Sequence, residues 1–595
     1  MPTSYNEGVA YLRLLAPFVV ACCLGAQSQF MPLKEVRPGM RGVGKTVFSG
    51  TRVEDFQVEV LGVMENVWAK QSLILARLSG GPLAATGVMQ GMSGSPVYIG
   101  GRLVGAVAMA FPFSKEPIAG IRPIEDMLRA ESEPPPKAMR AHVSLADQDL
   151  TRAFPQPANV LAGGSKLVDI ATPVALGGFT RNTVESFAPK LRALGLECQQ
   201  GASGGHPTGF GNPSDLQPGS MISVQLLSGD MSVGADGTVT YINGRKVYAF
   251  GHRLLSVGST ELPFARAGVL ALLPNLQSSF KISNPKEWMG AITDDRSTAI
   301  SGRLGQHAAM VPVAISVARQ PGAAAGKTDY HIEMVNDRFL EPLLMQMAIF
   351  SALDATERSY GASSFLVKGE MQFKGAAAPL KIDNMYAGDF NTAMQASLAV
   401  SVPLAYVMQS GFDSLELKSV SLSVESYDRK RELQIDQAWT SQREVRPGEK
   451  VELHVILTGE NGREVLRQVS YKVSEGTTLG PLYFTVADGN NTNLTEFRQF
   501  LTSQPKSAGQ MVAFLNGLRP NTHAYVRVWR AGPSYDIGGE NFPDPPPSAD
   551  LILSKSAPLP MGGLAPQNSK VAELEISAGD MVITGSRTVQ VEVKE

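Results

Sequence analysis

Cysteine is almost missing from this chain: Cys22, Cys23 and Cys198 are the three among 595 residues. If the first two leave with a leader, Cys198 has no internal partner, which excludes a disulfide-stapled fold. It follows "LRALGLECQQ" with no histidine beside it and reads as a structural thiol. Aromatics are scarce at 7%, whereas 59 glycines and 39 prolines point to many short strands joined by turns. The formal net charge is −2 and no basic block occurs, so nucleic-acid binding has no electrostatic footprint. No apolar run is long enough to span a bilayer. His-Glu-x-x-His and paired-cysteine motifs are lacking, as are a P-loop and a dinucleotide fingerprint; no metal and no cofactor are expected. The Gly-rich run "GASGGHPTGFGNPSD" has no strand–loop–helix context for a phosphate and reads as a loop.

What is present implies several domains, since 595 residues exceed one core. Arg13 precedes an apolar run from Leu14 to Ala26, the length of a signal-peptide core. Residues 1–28 therefore read as a leader, cut after Ala26 or Ser28, or as a lipobox "VVAC" that leaves Cys22 lipidated. Export to the periplasm, cell envelope or exterior follows from either. Alternating stretches such as "FQVEVLGV" and "SLILARL" predict strands, and the Pro-rich "ESEPPPKAMR" (Glu131 to Arg140) predicts a break. The expected units are 29–135 (β, Ser-bearing), 136–216 (a mixed linker with the Gly-rich loop) and 217–380 (β, His-bearing, with a long helix). Beyond Leu380 the chain is expected to return to β, as a sandwich-like unit over 381–488 and a β-rich unit over 489–595.

One stretch carries chemistry. "GMSGSPVYIGGRLVGAVAMA", from Gly91, places Ser93 between glycines ahead of a β-hairpin pattern. A serine nucleophile needs a base for its proton and preorganised N–H donors for the tetrahedral oxyanion. Glycines let backbone amides approach closely, and the amides of Gly91 and Ser93 can face one oxygen. The base must come from seven histidines: His142, His206, His252, His307, His331, His454 and His523. His252 stands out, because "VYAFGHRLLSVG" puts it after a β run and a glycine, at a strand end.

The pattern Gly-x-Ser-Gly-x-Pro before a strand resembles the nucleophile loop of chymotrypsin-like proteases. More specifically, "MQGMSGSPVYIGGRLVGAV" and "VYAFGHRLLSVG" are similar to the Ser and His segments, "VQGMSGSP" and "YAALGH", of the SpoIVB sporulation-type serine peptidases. "MGAITDDRSTAISGRLG" (Met289 to Gly305) echoes the glycine-rich stretch that follows the family's His. The resemblance covers about Pro38 to Asp126 and Gly219 to Gly305. It implies a mainly β protein: a chymotrypsin-like double β-barrel with appended β-sandwich-like domains and a few helices. It also implies an exported serine endopeptidase with Ser93 and His252 as catalytic residues, acting on a restricted set of envelope or signalling proteins and on itself.

Two departures stand out. The family's His precedes its Ser, whereas here Ser93 comes first. The family also places an Asp about fifteen residues before the Ser, and here no carboxylate lies between Glu65 and Ser93. Asp295 and Asp55 are the candidates for a third member, with Asp294 and Glu54 beside them. As a sequence pattern alone, Asp294-Asp295 reads first as a solvated turn and Glu54-Asp55 first as a strand start. A non-catalytic envelope scaffold on a peptidase-like fold is the alternative function.

Overall fold

The computed structural model describes residues 29–595 apart from 69, 112, 130–167, 201–206, 277, 320–325, 357–359, 503–506, 533, 538–539, 544 and 557–567. The expected leader with Cys22, the Pro-rich break, His142 and His206 lie outside the described residues.

Six strands come first: β1 (Arg41–Ser49), β2 (Arg52–Trp68), β3 (Gln71–Ser79), β4 (Pro96–Ile99), β5 (Arg102–Ala110) and β6 (Ile118–Pro123). Short helices α1 (Leu83–Thr86) and α2 (Ile124–Arg129) flank the second half. On β2 the period-two pattern sends Phe56, Val58 and Val60 into a buried core with Ile74, Ala76 and Leu78 of β3. Each strand buries one face against the others, and the sheet closes on itself. The order is β4-β1-β2-β3-β6-β5, with β4 returning to β5. Closure removes the free edges that an open sheet would expose.

Between the barrels the described residues form β7 (Val168–Asp169) on β5, β8 (Thr172–Gly177), α3 (Arg181–Ala193) and β9 (Leu196–Gln200). Thr180 caps α3 by accepting from the Thr183 N–H. A second closed barrel is then built from β10 (Met221–Gly229), β11 (Ser232–Asn243), β12 (Lys246–Ala249), β13 (Gly258–Leu273), β14 (Phe280–Arg296) and β15 (Ala299–Leu304). Its order is β10-β13-β14-β15-β12-β11, with β11 returning to β10.

Numbered within each barrel, the connectivity is the same. First pairs second, second pairs third, third pairs sixth, sixth pairs fifth, fifth pairs fourth, and fourth closes on first. The fold is thus a double antiparallel β-barrel with further β structure attached. The loop between third and fourth strands carries Ser93 in one barrel and His252 in the other. Chain order is therefore secondary: two units of one topology each present one loop to the seam.

Beyond the second barrel its sheet continues through β16 (Met310–Arg319), β17 (Lys327–Val335), β18 (Tyr360–Lys374), β19 (Leu380–Phe390) and β20 (Glu416–Tyr427). Two helices, α4 (Glu341–Asp354) and α5 (Thr392–Gln409), share one continuous core with this sheet and barrel. The 18-residue α5 departs from the expected return to β after Leu380. Its apolar residues face every side, so no helical stripe marks it, and Pro403 sits within it. Strands among the described residues between 432 and 593 form a sandwich of a four-stranded and a five-stranded sheet around a single core. Strands from both sides of position 488 contribute to that core.

Candidate active site

The Ser93 loop is shaped by where its peptides point. The N–H of Gln90 donates to Ser279 O (2.9 Å), that of Met92 to Met89 O (3.1 Å), that of Gly94 to Val107 O (2.7 Å) and that of Ser95 to Met92 O (2.9 Å). Between them, the N–H groups of Gly91 and Ser93 donate to no acceptor among the described residues. The carbonyls face the other way, into the second barrel. Thr238 N–H donates to Ser93 O at 2.8 Å, Thr238 Oγ1 to Gly91 O at 2.9 Å, and Thr240 Oγ1 to Gly94 O at 2.7 Å. Strand β11 therefore holds three carbonyls of the loop and leaves two amides for an anion, the arrangement an oxyanion requires.

Contact across the seam is close enough to demand glycine. A Cβ on Gly94 would stand 2.0 Å from Thr238 O and 2.5 Å from Phe250 N, and its φ is +92°. Gly94 follows Ser93 directly, and Phe250 lies two residues before His252, so the barrels meet where the two candidate residues sit.

The His252 loop is set from both barrels. Phe250, Gly251 and Ser256 all have positive φ, at 70°, 68° and 60°. For a Phe this is unusual and is held in place by its surroundings. Gly251 backs onto Ala106 and Ala108 of β5. The buried Arg122 of β6 donates to Gly251 O (3.4 Å) and Gln71 Oε1 (2.8 Å) and lies over the Trp68 ring at 5.4 Å. His252 Nδ1 is 2.6 Å from Arg253 O. A carbonyl only accepts, so Nδ1 carries the proton and Nε2 keeps its lone pair. Nε2 and Ser93 Oγ are both buried without a hydrogen-bond partner. Burial holds the His252 pKa below its ordinary value, against the opposing charge of Asp169, so the neutral base form prevails at neutral pH.

Asp295, at the end of β14, is buried and accepts from Leu254 N–H (2.8 Å), Leu255 N–H (2.7 Å) and Val257 N–H (3.3 Å). It fixes the backbone after His252 and makes no hydrogen bond to the imidazole. Asp55, half-way along the β1–β2 ladder, pairs with Lys45 at 3.2 Å and is largely exposed. Glu54 pairs with Arg52 and Asp294 with Arg296. The carboxylate whose charge acts on His252 is Asp169, on β7 opposite Met109. Sequence reasoning missed it, since a lone "VDI" carries no pattern.

Other chemistry-bearing residues lie elsewhere. His454 stacks on Trp439 and His523 meets Thr522, both in the sandwich; His307 packs on Phe210. Burial pushes the Cys198 thiol up to about 12, so it is not activated. Among the described residues no group of three or more His, Cys, Asp and Glu side chains is placed to hold a metal.

Residues 27–128 match the family model of the SpoIVB peptidase S55. No curated protein and no solved structure matches the chain. The S55 match takes in the whole first barrel and Ser93 and stops before the second barrel, so His252 lies outside the matched residues. This similarity supports, in general terms, a SpoIVB-like serine peptidase. No helix among the described residues is long and apolar enough to cross a membrane.

Proposed function

We propose that the chain is an exported serine endopeptidase in which Ser93 is the nucleophile and His252 the base. The observation that carries this reading is the pair of unengaged amides, Gly91 and Ser93, flanking the hydroxyl of a SpoIVB-type segment. His252 Nε2 takes the Ser93 proton as Oγ attacks the peptide carbonyl. The developing oxyanion is held by the Gly91 and Ser93 N–H groups, and His252 then protonates the leaving amine. Water repeats the sequence to release the acyl group. Arg253 O fixes the tautomer, and Asp169 favours the imidazolium formed in each half-reaction. Asp295 sets the loop. The substrates are a restricted set of envelope or signalling proteins, and the chain itself.

The full burial of Ser93, at 0%, and of His252, at 2%, favours a second reading, a binding scaffold on a peptidase fold. Mass spectrometry after incubation with a fluorophosphonate separates the two. A single adduct on Ser93, absent from Ser93→Ala and His252→Ala, supports catalysis. Folded wild-type protein without an adduct gives the scaffold reading the lead.

A further inference from the structure

The first barrel sends Arg122 to the His252 loop; the second returns the gesture with a lysine. Lys281, second residue of β14, is buried at the seam, and its side-chain carbons pack on Gly91, 3.2 and 3.4 Å from where a Cβ there would stand. Its Nζ donates to Thr46 Oγ1 of β1 at 2.7 Å. The backbone around it zips onto the same loop: Lys281 N–H donates to Gln90 O (3.3 Å), and Ser279 Oγ donates to Thr86 O (2.6 Å). A methionine would fill this space without the cost of burying an ammonium. The charge is balanced by Asp236 of β11, also buried, which accepts from the Ser283 hydroxyl.

We propose that Lys281 is a positioning residue for the reaction at Ser93, its buried ammonium pinning the oxyanion loop to β1 so that the Gly91 and Ser93 amides stay free and face a positive potential. The assignment rests on the peptidase reading. Burial drives Lys281 down and Asp236 up, while each charge supports the other. Its polar partners are the Thr46 hydroxyl, by hydrogen bond, and Asp236, by charge.

The test uses the full chain and three variants, Lys281→Met, Lys281→Arg and Thr46→Val. The readouts are the rate constant for fluorophosphonate labelling of Ser93, the Gly91 amide resonance after glycine-selective labelling, and the melting temperature. Loss of a whole oxyanion donor costs about a hundredfold or more, so loss of its support is expected to slow labelling by about tenfold. Lys281→Met should show that loss and a moved Gly91 resonance with little change in melting. Lys281→Arg should recover part of the rate, and Thr46→Val should fall between. Lys281→Met labelling within about twofold of wild type, with Gly91 unmoved, overturns the proposal. If Lys281→Met does not fold, an unchanged rate and resonance in Thr46→Val overturns it instead. If the wild type is never labelled, the peptidase reading fails, and the Gly91 resonance alone decides the role of Lys281.

Discussion

Replacing Gly94 with alanine puts the seam between the barrels to a quantitative test. The added methyl would lie 2.0 Å from Thr238 O and 2.5 Å from Phe250 N, so the backbones must part by more than an ångström. Three hydrogen bonds span that point: Thr238 N–H to Ser93 O, Thr238 Oγ1 to Gly91 O, and Thr240 Oγ1 to Gly94 O. At about 1 kcal/mol each, their loss costs about 3 kcal/mol. The φ of +92° adds about 1–2 kcal/mol for any residue with a Cβ, a total of about 4–5 kcal/mol. Gly101 supplies the control, because its φ is +76° and nothing lies within 4 Å of a Cβ there. Gly101→Ala thus carries only the backbone cost. Hydrogen exchange at the Thr238 amide reads seam opening directly, and avoids assuming two-state unfolding in a chain of several cores. The difference of about 3 kcal/mol predicts Thr238 exchange about a hundredfold faster in Gly94→Ala than in Gly101→Ala. Equal protection in the two variants would refute the docking of the barrels described above.

Three further expectations follow from groups at or away from the seam. Asp169→Asn removes the charge that favours the imidazolium, so His252 titrates lower still; the labelling rate should fall by about tenfold to a hundredfold, with its acid limb moved to lower pH in a pH–rate profile. Glu341, in the first turn of the buried helix α4, has neither carboxyl oxygen hydrogen-bonded, and burial, with Asp337 adding to it, pushes its pKa up to about 8. A folded pKa above the unfolded value means the proton binds the native state, so that stability is present below the unfolded pKa and lost as pH rises to about 8, at about 1.4 kcal/mol per unit. Glu341→Gln should flatten the fall in melting temperature between about pH 5 and 8, and an unchanged slope would contradict this burial. Cys198, with its thiol pushed up to about 12, should resist iodoacetamide in the native protein at pH 8 and react once the chain is unfolded, by mass spectrometry.

The first barrel was legible because its strands alternate cleanly, as where Phe56, Val58 and Val60 turn inward. Ser93 and His252 stood out because glycine beside a serine or histidine at a strand end marks a backbone turned to present a side chain. The partners that set those loops were not legible. Thr238 and Thr240 look like any strand threonines, and Lys281 looks like a solvated charge at the start of a strand. Only the docking of two barrels from distant parts of the chain gives these residues their roles. Asp295 carried two sequence readings, a third catalytic member or a solvated turn, and is instead buried on three backbone amides. Helix α5 was hidden for a different reason: a helix apolar on all sides has no periodicity to show.

The dependence of each barrel's loop on the other also has a time course. Gly91 leaves the ribosome roughly 190 residues before Lys281 and roughly 150 before Thr238. At about 5–20 residues per second, the Ser93 loop exists for about 10–40 seconds without the groups that shape its anion site. On the peptidase reading, the site stays unarmed until the last part that shapes it has been made.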